Sequence, residues 1–76
     1  MPPKGSRDSR ALGRVFRATR KELGYTQESF ALKADIDRSY YGALERGEYN
    51  ATIETIMHVA RGLGVPAWKL WERAGL

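Results

Sequence analysis

Cysteine is absent from this chain, so neither disulfides nor a thiolate metal site can hold it together. Histidine occurs once, at His58, which leaves little for a zinc site or a serine–histidine pair to draw on. No apolar run approaches the roughly 20 residues that a membrane helix requires. The opening MPPKGSRDSR lacks the apolar region of a signal peptide. A soluble, cytoplasmic protein is therefore expected. Glycine-rich phosphate loops, metal-ligand clusters, internal repeats and low-complexity segments are missing too. The carboxylates are scattered, and Ser6, Ser9, Ser29 and Ser39 have no histidine at plausible range. His58 is placed on the outer, solvated face of its helix. An enzyme is not expected, and no cofactor or metal is implied.

What the chain does have is helical patterning and positive charge. Its 76 residues allow one small domain, which at this size needs compact helical packing, dimerisation or both. Thirteen basic residues face nine acidic ones, for a net charge of +4 and an isoelectric point near 9.8. That balance suits a nucleic-acid partner without proving one. Residues 1–8 carry proline, glycine, serine and charge without periodicity and read as a flexible basic arm. Residues 9–76 read as the folded domain. No stretch alternates with the two-residue period of a strand.

The periodicity predicts five helices, an all-α bundle. The first spans about 9–23, with Leu12, Phe16, Thr19 and Leu23 as its inner stripe, Val15 alongside, and Gly24 as a C-terminal cap. Thr26 stands where an N-cap belongs for a second helix running to about Ala34, with Phe30, Ala31 and Ala34 inward. Asp37 caps a third helix from Arg38 to about Arg46, stopped by Gly47. Thr52 caps a fourth, whose apolar stripe is Ile53, Ile56, Met57, Ala60 and Leu63, and Gly64 ends it. Pro66 opens a short fifth helix, about 66–73.

The second and third helices are so closely joined that the chain must turn sharply, the geometry of a helix-turn-helix over about 26–46. On a wheel of 100° per residue, Tyr41 and Leu44 of the third helix point toward Phe30 and Ala34. Ser39, Gly42, Ala43 and Arg46 point the other way, with Arg38 and Tyr40 at the margins. That outward face is small at its centre and basic or hydroxylic at its edges. Gly42 is an unusual choice, since glycine costs about 1 kcal/mol relative to alanine in a helix. A helix entering a major groove about 12 Å wide benefits from small residues where its backbone meets the bases. Packing of Gly42 against another helix is the other reading, and the residue alone does not decide between them.

Together these elements resemble the lambda-repressor-like, or Xre-type, helix-turn-helix family. The resemblance runs from about residue 12 to 72. It is carried by Arg20 four before Gly24, Thr26-Gln27-Glu28, Ala31, Leu44-Glu45-Arg46-Gly47, and Ala60 followed by Leu63-Gly64-Val65. It implies a sequence-specific transcriptional regulator with its third helix in the major groove of operator DNA. Arg38 and Ser39 fall where family members read base edges, with Gly42 and Ala43 on the same face. Gln27 matches the glutamine that grips a phosphate at a helix start. Tyr40, Arg46 and Asn50 are further candidates for phosphate. The resemblance pairs Arg20 with Glu45 as a structural tie between the first helix and the end of the third.

Three positions depart from the family pattern. Asp35 replaces a turn glycine and is expected to take a left-handed conformation. Ala51 replaces a frequent proline. Tyr41 replaces an aliphatic residue, so its hydroxyl needs water or a partner if the ring is buried.

Residues 68–76, WKLWERAGL, hold both tryptophans. Leu70 and Trp71 fit positions that close the bundle, which leaves Trp68 beside Leu76 with little to cover inside one subunit. Trp68, Trp71 and Leu76 are therefore expected at a homodimer interface, with paired third helices reading a palindromic operator. The compact plan is similar to the controller proteins of restriction–modification systems, and small phage-type repressors share its length. A protein-interaction module or antitoxin-like protein of the same fold is the alternative from another class. No small-molecule effector, or domain to hold one, is evident.

Overall fold

Side-chain caps set four of the helix starts. In the computed structural model, which describes residues 6–76, Ser6, Thr26, Asp37 and Thr52 each accept a hydrogen bond from the main-chain N–H three residues on. Each cap satisfies one donor that a helix leaves unpaired in its first turn. The elements are α1 (Arg7–Glu22), α2 (Gln27–Ala34), α3 (Arg38–Glu45), α4 (Ile53–Leu63) and α5 (Ala67–Arg73). The described residues contain no strand, and the architecture is the expected five-helix bundle. Gly24, Gly47 and Gly64 lie at positive φ just past α1, α3 and α4. Because Ser6 supplies the cap, α1 starts two residues before the expected Ser9 and absorbs the end of the arm expected over 1–8. Residues 1–5 of that arm lie outside the described residues.

Phe16, Phe30, Tyr41, Leu44, Ile56, Val59 and Leu70 are completely buried, and burying a side chain of this kind contributes about 1.5–3 kcal/mol. α2 packs against both α3 and α4, and α4 against α5. The long α1 crosses α3, α4 and α5. The rings of Phe30 and Tyr41, 4.9 Å apart between centroids, fix α2 against α3, and Tyr25 meets Phe30 edge-on at 5.9 Å. Gly13 lets α1 approach α3. A Cβ at that position would stand 2.5 Å from the Leu44 carbonyl oxygen and 2.6 Å from that of Glu45.

Two expected stripes are rotated. On α1, Leu23 is half exposed, and Arg20 is buried in line with Leu12, Phe16 and Thr19. On α4, Ile53 and Met57 are exposed, at 69% and 47%, and the inward positions are Ile56, Val59, Ala60 and Leu63. The side of α4 that carries Ile53 and Met57 therefore faces away from the core. His58 also departs from expectation. It is half buried, with Nε2 2.6 Å from the carbonyl oxygen of Ala34. A carbonyl can only accept, so Nε2 donates and the ring ties α4 to the last turn of α2.

The N-terminus of α1 is bound to the segment between α3 and α4. The Ser6 N–H donates to Asn50 Oδ1 at 2.6 Å, and the Ala51 N–H donates to the buried Ser9 hydroxyl at 3.2 Å. Gly13 and these cross-links tie α1 to α3 and to the segment that follows it.

Candidate nucleic-acid interface

Three residues separate α2 from α3, and the sequence turns the chain within them. Asp35 adopts the left-handed conformation (φ 57°, ψ 50°), and its N–H closes the last turn of α2. Asp37 then caps α3 by accepting from the Tyr40 N–H at 2.9 Å. At the other end of α2, Thr26 and Ser29 bond each other's main chain as a capping box. The N–H groups of Gln27 and Glu28 in that first turn have no intrahelical acceptor. Such a helix start favours an anion.

Beneath this surface lies a buried polar network. Arg20 forks onto Glu45, Nε to Oε2 at 2.7 Å and Nη2 to Oε1 at 3.0 Å, and its Nη1 donates to the Tyr25 carbonyl at 2.6 Å. Gln27 Nε2 donates to Glu45 Oε1 at 2.9 Å. Burial by itself would raise the pKa of Glu45, but the hydrogen bonds led by Arg20 outweigh it and hold the carboxyl below its usual range. The Tyr41 hydroxyl approaches the same pair, and burial, helped by Glu45, pushes the phenol above its usual pKa. It does not reach hydrogen-bond geometry with either group. Among the described residues it is the one buried side-chain polar atom without a partner. The Tyr41 ring is buried, and no protein group partners its hydroxyl.

Above the network, Gln27, Arg38, Ser39, Gly42 and Arg46 line a shallow recess of about 250 Å³. Arg38, with 69% of its side chain exposed, is only loosely paired to Glu28 at 3.7 Å. Ser39 is exposed at the edge. Tyr40 is partly exposed and packs its ring 5.7 Å from that of Tyr49. Gly42 is at the floor, covered by side chains and not by a helix: a Cβ there would lie 3.1 Å from Arg46 Nη1 and 3.3 Å from Gln27 Oε1. Arg46 is itself gripped by Glu48, Nε to Oε2 at 2.6 Å and Nη2 to Oε1 at 3.3 Å.

Two expected site residues stand differently. Ala43 is 5% exposed and belongs to the packed side of α3, not its outward face. Asn50 spends its Oδ1 on Ser6 and Ser9, leaving only the amide nitrogen for a further contact. At the far end, Trp68 is 62% exposed and Leu76 is exposed as well. Trp71 is half buried against the core beside Leu70. Sequence reading gave Glu28 no role beyond its place in the Thr26-Gln27-Glu28 motif and missed Glu48 altogether. Their positions one residue after Gln27 and two after Arg46 gave only a faint signal of pairing.

An outward arginine and serine beside an open helix start, mounted on a sharp two-helix turn, define a helix-turn-helix module. The chain matches the helix-turn-helix family over residues 16–67 and belongs to it, as a domain of the Xre type. This is a family of DNA-binding transcriptional regulators, proteins that are not enzymes. Among known proteins the chain is similar to the control protein C.MunI of Mycoplasma sp, with 35% identity over 61 residues, 79% of this chain and 82% of that one. Its fold is similar to the restriction-modification controller protein C.AhdI from Aeromonas hydrophila, with a TM-score of 0.80 and 32% identity over 86% of this chain and 98% of that chain. It is also similar to the controller protein C.Esp1396I, solved as a tetramer in complex with its natural 35 base-pair operator. There the TM-score is 0.83 at 32% identity, covering 91% of each chain. No helix among the described residues is long and apolar enough to cross a membrane.

Proposed function

We propose that this protein is a sequence-specific transcriptional regulator that binds a palindromic operator as a homodimer, with α3 in the major groove and residues 9–76 acting as one DNA-binding domain. The observation that carries the reading is the exposed flank of Arg38 and Ser39 beside the open N-terminus of α2. Arg38 and Ser39 read base edges there, and Gly42 keeps the centre of the face low. Gln27, Tyr40, Arg46 and the free amide nitrogen of Asn50 hold phosphates, which fix register without reading sequence. Trp68 and Leu76, backed by Trp71, form the subunit contact. Similarity to controller proteins across nearly their whole length favours a controller of a restriction–modification system, working in the cytoplasm without a small-molecule effector.

Selection from random duplex, followed by binding titrations with two variants, tests this. Arg38→Ala is expected to relax preference at one base pair, where a bidentate contact carries about 1–3 kcal/mol of discrimination. Gln27→Ala is expected to weaken all duplexes alike. Affinity for mixed-sequence duplex should fall steeply as salt rises. A pure protein-interaction module would bind no duplex at any moderate salt. If Arg38→Ala changes neither affinity nor preference, the assignment of the reading residue is wrong.

A further inference from the structure

Arg46 lies folded back across its own helix. Its Nη1 sits over Gly42, inside the recess shared with Gln27, Arg38 and Ser39. Its other edge, Nε and Nη2, is taken by both oxygens of Glu48. An arginine uses such an edge to hold a phosphate through two parallel hydrogen bonds. The carboxylate therefore occupies the part of Arg46 that any duplex backbone would attract, and leaves one nitrogen directed into the recess.

The position of Glu48 is built into the chain and does not depend on a flexible loop. Gly47 turns left-handed at φ 70°. Its N–H donates to the Leu44 carbonyl at 3.1 Å, and the Glu48 N–H reaches back to the Ala43 carbonyl at 3.0 Å. This double closure of a helix end is a Schellman turn, and it fixes the backbone of the residue after the glycine. The turn is also wedged against α1, since a Cβ on Gly47 would meet the Arg10 backbone at 2.7 Å. Glu48 is thus held within reach of Arg46. The Arg38–Glu28 pair has no such support and is open at 3.7 Å.

We infer that Glu48 is a specificity-determining positioning residue: it grips Arg46 by its Nε/Nη2 edge, withholds that edge from phosphates on arbitrary duplex, and presents Nη1 over Gly42 to the bases the recess covers. Glu48 itself touches no DNA in this account. It acts through Arg46, which it moves from the phosphate role given above to the bases, and it rests otherwise on the regulator reading. Its carboxyl, held below its usual pKa by Arg46, stays charged throughout the neutral range.

Glu48→Ala, Arg46→Ala and the double variant test this in the full chain, with a selected operator and a mixed-sequence duplex titrated at several salt concentrations. Glu48→Ala is expected to strengthen mixed-duplex binding about threefold at low salt and to steepen its logarithmic salt slope by about 0.9, the signature of one added phosphate contact. Operator affinity should gain less or fall, so that preference for the operator drops. With Arg46→Ala already present, removing Glu48 should leave that preference unchanged. Equal gains on both duplexes, or a loss of preference that persists without Arg46, would mean that Glu48 acts only as a bulk charge, and would overturn the proposal. In the unbound protein, solvent exchange of the Arg46 Nε proton, followed by NMR, should quicken in Glu48→Ala. No change there overturns the grip even if DNA binding by the unaltered protein is normal. Absence of duplex binding by the unaltered protein overturns the regulator reading itself and takes this inference with it.

Discussion

Gly42→Ala separates two accounts of one glycine. Its notional Cβ meets only the ends of two flexible side chains, Arg46 and Gln27, and alanine gains about 1 kcal/mol of helix propensity. The variant should therefore melt no lower than the parent, while duplex affinity falls because both side chains are pushed from the recess. A lower melting temperature would mean that the covering side chains cannot yield. The peculiarity of Gly42 was legible in the sequence, but its immediate reason was not. The sequence pointed to room for DNA, and the structure adds that Arg46 and Gln27 occupy that room in the free protein. The bond from Gln27 to Glu45 was equally invisible, because it joins side chains 18 positions apart. Glu45 gives a second test at this scale. Its folded-state pKa is depressed, so its contribution to stability is complete above the ordinary carboxylate value of about 4.3 and is lost as pH falls through the lower folded value. Melting temperature should drop sharply as pH is taken from 5 toward 3. Glu45→Gln, already weakened by about 3–5 kcal/mol at neutral pH because Arg20 is left buried without its anion, should lose less over the same range.

Helix ends were the most readable feature of the elements. Thr26, Asp37 and Thr52 cap where their types and positions say they should, because capping is a local hydrogen bond within three residues. Facing is a tertiary decision and was read less well. Ile53 and Met57 fit an apolar stripe, yet the packing of α4 turns their side to solvent, and Val59 takes the inward place. On α1, a buried arginine displaces Leu23 because Glu45 on α3 needs it. The crossing that brings those two helices together depends on Gly13. Gly13→Ala would drive a Cβ into two backbone carbonyls of α3, atoms that cannot move without shifting the helix. The expected cost is about 1–3 kcal/mol or more. At about 4–8 °C per kcal/mol for a domain of this size, thermal denaturation resolves it easily. Gly13→Ala and Gly42→Ala should thus differ in sign or size of stability change although both place alanine in a helix. Equal melting temperatures would show that α1 can slide away from α3.

At the scale of the whole molecule, the proposed function gives one bundle one recognition helix, and a single short helix reads too few base pairs to find an operator. Two bundles joined in fixed geometry make the second half-site contact intramolecular, which multiplies affinity without adding any new DNA contact. The surface that could join them is the one the bundle leaves uncovered around Trp68 and Leu76, since Leu70 is buried and Trp71 is already packed against the core. Tryptophan is the side chain whose removal costs most at such contacts, commonly 2 kcal/mol or above, equivalent to about a 30-fold weaker association at 1.4 kcal/mol per tenfold. Trp68→Ala should therefore shift the monomer–dimer midpoint upward by that order in sedimentation equilibrium. Melting of the parent should rise with protein concentration, because association stabilises the folded state by mass action, and that dependence should shrink in the variant. Binding to a full operator should weaken, while binding to an isolated half-site should not change, because Trp68 lies on α5, away from the recess of α2 and α3. If Trp68→Ala leaves the association constant untouched, the subunits meet elsewhere, and the exposed Ile53 and Met57 on α4 become the surface to replace next.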